Sequence, residues 1–175
     1  MDVPSDGLIS RRTFSAGMGL ASVAALPRSN AAAPSATVKL IDCHAHLAHH
    51  GNPEWAKADR ELIDAADRLG IDQLCCSLLS PRRPASPEQF RECNDWAAEA
   101  MARYPGRILC YCFVNPGYVM EAHDEISRCI GKLGFIGVKL YNDYVATEPV
   151  VWPLVEQTID LRVPILHHAG HTYWL

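Results

Sequence analysis

Several things are missing from this chain, and each absence removes a class of function. No apolar run approaches the ~20 residues that span a bilayer; the weakly apolar stretch from Ala16 to Leu26 is far too short. Neither GxGxxG nor GxxxxGK[ST] occurs, so the backbone cradle for nucleotide phosphates has no sequence support. Lys and Arg never cluster into a block, and with 16 of them against 20 Asp and Glu the net charge is -4, which argues against a nucleic-acid partner. None of the seven cysteines belongs to a CxxC pair, the usual start of a thiolate metal site. With 49% hydrophobic and 21% charged residues, the composition is neither disordered nor collagen-like. At 175 residues there is material for one folded domain and not two.

The N-terminus reads Ser10-Arg11-Arg12-Thr13-Phe14-Ser15, then the Ala16 to Leu26 stretch, then Ala31-Ala32-Ala33. A positive segment, a short apolar stretch and small residues at a cleavage site, in that order, form an export signal. The arginine pair resembles the twin-arginine (Tat) type, which implies export of a folded protein to the periplasm. An Ala-rich leader with a chance Arg pair is the alternative. Residues 1–33 are accordingly set apart as a signal peptide, and residues 34–175 form the mature domain. That part holds all 8 His and all 7 Cys. Cys43, Cys75, Cys76, Cys93, Cys110, Cys112 and Cys129 are odd in number, and several lie in strand-like runs. They read as buried structural thiols rather than a disulfide framework.

From residue 38 onward strand and helix alternate. Strands are expected over 38–43, 71–79, 107–114, 135–141 and 163–168, and helices over 53–69, 87–104, 118–133 and 148–161. Gly70 and Gly134 are placed as helix C-terminal glycines, and Ser86-Pro87 as N-cap followed by the first helical position. Such alternation builds βαβ units around a parallel sheet, whose strands read as continuous apolar runs because both faces are covered.

The histidines gather where chemistry sits in such sheets, at the C-terminal ends of strands. His44 and His46, two residues apart at the end of the first strand, are expected to share a face with Asp42 while Cys43 and Ala45 point away. Two adjacent imidazoles can take two neighbouring positions on a divalent metal. The fifth strand ends in His167-His168-Ala169-Gly170-His171. His167 and His168 face opposite ways as strand neighbours, so at most one of them joins a shared site; His168 is the candidate, and His171 is either a further ligand or an uninvolved loop residue. His123 falls mid-helix and reads as a surface residue. Lys139, inside the apolar strand Gly137-Val138-Lys139-Leu140, is costly to bury as an ammonium. It reads as a carbamate ligand to metal, a cation for a substrate carboxylate, or a strand-end lysine reaching solvent. Tyr141 lies on the same face, and Tyr141 or Asn142 is placed to touch a substrate.

Together, Ile41-Asp42-Cys43-His44-Ala45-His46-Leu47, Phe113-Val114-Asn115-Pro116, Leu133 to Leu140 and Val163-Pro164-Ile165-Leu166-His167-His168-Ala169-Gly170 resemble the amidohydrolase superfamily, above all its amidohydrolase-related group of TIM-barrel hydrolases and decarboxylases. The resemblance spans essentially the whole mature chain. It implies a (β/α)8 barrel of which about five βα units are present, since a full barrel takes eight strands and ~250 residues. It further implies His44, His46 and His168 as ligands to a divalent metal, zinc or alternatively manganese, with Lys139, His171 and Tyr141 as further metal or substrate contacts. The implied chemistry is a metal-activated water attacking an amide, ester or lactone, or the decarboxylation of a small carboxylic acid. The family's late Asp, the expected acid/base group, would lie beyond Leu175, and Asp42 sits too deep in its strand to replace it; no catalytic acid/base is therefore assigned. Two other readings remain open: a non-catalytic half-barrel that binds metal or a partner chain, and a phosphoesterase or nuclease of similar barrel, against which Lys139 stands where a glutamate is usual. An exposed fifth-strand edge would favour self-association.

Overall fold

A computed structural model describes residues 38–48 and 54–168 of the chain. The proposed signal peptide, His49, His50 and His171 lie outside the described residues. The elements run β1 (Ile41–His46), α1 (Trp55–Leu69), β2 (Gln73–Ser77), α2 (Pro87–Arg103), β3 (Ile108–Phe113), α3 (Val119–Leu133), β4 (Gly137–Leu140), a 3-10 turn (Pro149–Val151), α4 (Trp152–Leu161) and β5 (Ile165–His167). All neighbouring strands pair in parallel in the order β1-β2-β3-β4-β5. This is the parallel sheet that the alternation predicts and the half-barrel that the family resemblance implies, with the sequential neighbours of a (β/α)8 barrel. No helix among the described residues is long and apolar enough to cross a membrane.

Local chemistry sets the element ends. Gly70 and Gly134 both take the left-handed conformation that closes a helix and that a Cβ would oppose. Ser86 accepts from the Gln89 amide while the Gln89 side chain accepts from the Ser86 amide, a full capping box with Pro87 behind it. Two element starts differ from expectation in ways that local chemistry or burial reflects. The expected helix over 148–161 opens as a 3-10 turn before α4, because Pro149 and Pro153 remove two amides from its first turns. The first strand begins at Ile41 rather than residue 38, and Val38 and Leu40 are exposed.

β1 departs from ideal pairing in a way that matters for the site. Asp42 is level with Leu74 and Ala45 with Cys76, so three steps on β1 answer two on β2, a β-bulge. Asp42 Oδ1 accepts from the His44 amide at 2.9 Å, drawing that N–H out of the ladder. The bulge changes the parity of the strand: Asp42 is level with the buried Leu74 instead of sharing the histidines' face. It also leaves Cys43 exposed, the exception to the buried-thiol reading, whereas the other six cysteines are buried and all seven are free.

The core lies between the sheet and its helices, where Leu74, Cys76, Cys110, Cys112, Val138 and Leu140 meet Ile63, Phe90, Ala97, Ile126, Cys129 and Leu154. One polar cluster is embedded in it. Asn94 of α2 donates to the carbonyl of Phe113 and accepts from its amide, both at 2.9 Å, and donates to Glu125 of α3 at 3.0 Å. Glu125 in turn accepts two hydrogen bonds from Arg128. The cluster ties the end of β3 to two helices and satisfies every buried group it contains. At β4, a Cβ on Gly137 would meet the carbonyl oxygen of Pro164 at 2.5 Å, so only glycine allows β4 and β5 to approach this closely.

Burial alone would raise the carboxyl of Glu125, but hydrogen bonds from Arg128 and Asn94 outweigh it and hold its pKa below the usual value. A depressed carboxyl stabilises the fold above the unfolded pKa and loses that contribution as pH falls through the folded one. Denaturant titrations from pH 7 to pH 3 should show stability falling on the acid side. Glu125→Gln should be less stable at pH 7 and flatten the acid limb; an unchanged limb in the variant would show that other carboxylates set it.

Candidate functional site

The C-terminal ends of β1, β4 and β5 bring together four nitrogen-bearing side chains that are far apart in sequence. The rings of His44 and His46 lie 5.1 Å apart, centre to centre, at an angle of 59°. Lys139, which the parallel register sets level with Phe113 and Leu166, places Nζ 3.2 Å from Nε2 of His44. His168 follows β5, its amide donating to the carbonyl of Leu140 at 3.0 Å, and its ring stacks on Tyr141 at 4.5 Å and 19°. His167 turns elsewhere, its Nε2 lying 3.1 Å from the Tyr144 carbonyl, so the two adjacent histidines do separate as strand neighbours should. His123 is exposed on α3.

Lys139 is the outlier of the group. Its side chain is 0% exposed, so it does not reach solvent as a strand-end lysine would. Burial lowers its pKa to about 8, which favours the neutral amine. Burial likewise lowers His46, helped by the charges of Lys139 and His44 and opposed by the hydrogen bond with Ser77. His168 is lowered first by burial, then by Lys139, His44 and Arg83. The charge of Lys139 thus disfavours the cationic forms of His46 and His168, and the uncharged imidazole is the form that binds metals.

Two residues absent from the sequence-level candidates hold this geometry. Ser77, at the end of β2 and level with His46, sets its hydroxyl 3.2 Å from Nδ1 of His46 and so fixes one ring nitrogen. Arg83 lies in the loop after β2 with its guanidinium 4.0 Å above the Tyr141 ring. Register across two strands and a loop crossing produce both contacts; the only prior signal was a polar residue at a strand end and a charge in a proline-rich loop.

A cavity of about 330 Å³ opens beside His46 and His168, lined by His46, Leu47, Leu79, Ser80, Pro81, Arg83, Tyr141 and His168. No carboxylate is among these lining residues. Among the described residues no three His, Cys, Asp or Glu side chains converge to hold a metal ion. The donors present are two adjacent imidazoles with an amine against one of them, and a third imidazole across the cavity: an open, all-nitrogen set whose chemistry suits a divalent cation but does not enclose it.

Comparison with known proteins places this geometry. Residues 41–174 match the amidohydrolase family Amidohydro_2. The gamma-resorcylate decarboxylase of Polaromonas sp. is 28% identical over 141 residues, covering 66% of this chain and 42% of that protein. The Rhizobium radiobacter enzyme of the same name is 32% identical over 96 residues, covering 47% and 29%. The chain thus spans less than half the length of these curated relatives. Among solved structures, a 2,6-dihydroxybenzoate decarboxylase complexed with 2,6-dihydroxybenzoate superposes with a TM-score of 0.59 at 21% identity, covering 78% of this chain and 51% of that one. A 5-carboxyvanillate decarboxylase from Novosphingobium aromaticivorans, with bound manganese and a nitrobenzoic acid, superposes with a TM-score of 0.62 at 18% identity, covering 75% and 51%. The HxH strand, the parallel half-barrel and the match over residues 41–174 together make this chain a member of the amidohydrolase family.

Proposed function

We propose that the chain carries the metal-binding half of a divalent-metal-dependent decarboxylase for small aromatic acids. The observation that carries the reading is a cavity lined by His46 and His168, with His44 beside His46 and Lys139 against His44, in a chain whose curated relatives include gamma-resorcylate decarboxylases. His44 and His46 would hold the cation with His168 completing the protein ligands, and His171 following in the same segment. A cation bound there supplies Lewis acidity toward substrate oxygens. Manganese is the metal in the Novosphingobium relative, whereas imidazole and amine donors also suit zinc.

The chain's own residues do the rest. Ser77 fixes Nδ1 of His46, leaving Nε2 as its remaining ring nitrogen. Lys139 sets the position of His44 through its Nε2 contact. Leu47, Leu79 and Pro81 give the cavity an apolar wall suited to a planar ring. Decarboxylation breaks the bond between ring and carboxyl carbon, leaves the electron pair on the ring and releases carbon dioxide; a proton must then add to the same ring carbon. No carboxylate is among the described lining residues; the imidazoles of His46 and His168 are titratable groups there. The reading includes export, since Arg11-Arg12 precedes a short apolar stretch and small residues.

The full chain loaded with manganese should convert 2,6-dihydroxybenzoate to resorcinol and carbon dioxide. His44→Ala should lower bound metal and turnover by roughly 100-fold or more, as expected for loss of a direct ligand. Hydrolysis of a lactone or ester without any release of carbon dioxide from aromatic acids would contradict the decarboxylase reading. For export, residues 1–33 fused to a folded reporter should reach the periplasm, and replacing Arg11 and Arg12 together by Lys should retain it in the cytoplasm. Efficient export of the Lys-Lys fusion would remove the twin-arginine assignment.

A further inference from the structure

The bulge in β1 brings two cysteines together on the face that carries the histidines. Asp42 is level with Leu74 and Ala45 with Cys76, so Cys43 and His44 together answer a single residue of β2, Cys75. Leu74 and Cys76 pack into the core under the helices, and Cys75 between them points to the opposite face. That is the face on which Ser77, two residues further on, meets His46. Because Asp42 lies on the core side with Leu74, alternation turns Cys43 toward the face of Cys75. Tyr111 of β3 touches both positions: its hydroxyl donates to the Cys43 carbonyl at 3.3 Å, and its side chain hydrogen-bonds with the Cys75 thiol.

Neighbouring strands lie ~4.8 Å apart, inside the ~4.4–6.8 Å between Cα atoms that a disulfide requires, and side chains level on one face leave their strands in the same direction. The fold offers other thiol neighbours: Cys76 is level with Cys110, and Cys112 hydrogen-bonds with Cys129. Access separates the pairs. These four are 0% exposed, whereas Cys43 is exposed and Cys75 retains 6%. Burial also pushes the Cys76 thiol up to about 12 and raises Cys110 and Cys112 well above the usual thiol value, which leaves them inert.

We infer that Cys43 and Cys75 are a disulfide modification site, a redox-sensitive clasp that ties β1 to β2 one residue before His44. The oxidant is a small disulfide. The Cys43 sulfur attacks it and one donor thiol leaves; the Cys75 sulfur then attacks the mixed disulfide at the Cys43 sulfur and the second donor thiol leaves. The two protein thiols lose their protons to the departing sulfurs, and the donor disulfide takes up the two electrons. The inference is independent of the decarboxylase reading. The proposed export would deliver the chain to an oxidising compartment, where disulfides persist, but the bond does not depend on it.

The test exposes the folded full chain to glutathione disulfide, then alkylates the remaining thiols after unfolding and reads the digest by mass spectrometry. Two of the seven thiols should be lost, fragmentation should assign the bond to Cys43 and Cys75 within one chain, and dithiothreitol should reverse it. Maleimide labelling of Cys43 in the folded chain should drop at least ~10-fold on oxidation, as expected when an exposed thiol is consumed. In Cys75→Ser, Cys43 should stop at the mixed disulfide with glutathione, while Cys76→Ser should keep the bond. If either variant fails to fold, fragmentation of the wild-type digest decides alone. A bond between other cysteines, glutathione on wild-type Cys43 without the bond, a disulfide-linked dimer, or seven unmodified thiols would each overturn the inference.

Discussion

Lys139 carries an amine into a position that water does not reach, and among the described residues its hydrogen-bond partner is Nε2 of His44. The cost of burying a charge there is the constraint around which the site is arranged. Burial lowers its pKa to about 8, so the amine gives up its proton far more readily than an ordinary lysine. The same pressure lowers the pKa of His46 and His168. Positive charges close together disfavour one another, which lowers the cost of presenting His46 and His168 as uncharged donors to a cation.

The fold brings these groups together by register rather than by sequence proximity. β3 sets Phe113 level with Lys139, β4 sets Lys139 level with Leu166, and β2 sets Ser77 level with His46. Gly137 permits the close approach of β4 to β5 that carries His168 into range. On the first strand the bulge pinned by Asp42 keeps the two histidines side by side while the strand changes parity between them and the core. Behind the sheet, the Asn94–Glu125–Arg128 cluster holds the end of β3, so the rigid side of the half-barrel supports the open one. Arg83 and Tyr141 then add a wall of different character to the cavity: stacked, planar and cationic at its rim.

What could be read in the sequence was what local chemistry decides. Gly70 and Gly134 end helices because a left-handed residue must, and Ser86-Pro87 opens one because its hydroxyl and fixed φ suit the first turn. The parallel order followed from alternation, and the HxH pair marked the strand end where chemistry sits. The bulge could not be read, because it depends on how β1 lies against β2, and with it the facing of Asp42 and the exposure of Cys43 were misplaced. The contact between Lys139 and His44 joins residues 95 positions apart. The sequence marked each as unusual, but only the sheet shows that they touch. Ser77 and Arg83 went unnoticed for the same reason: one is an ordinary polar residue and the other an ordinary loop charge until register and loop path set them against His46 and Tyr141.

The central claim is that His44, His46 and His168 bind one divalent ion as neutral imidazoles. Pulsed electron paramagnetic resonance on the manganese-loaded chain with nitrogen-15 histidine measures this directly by detecting imidazole nitrogens bonded to the metal. The account predicts coupling from at least two histidine nitrogens, reduced in His44→Ala and in His46→Ala. A spectrum showing water ligands alone, unchanged in both variants, would contradict it.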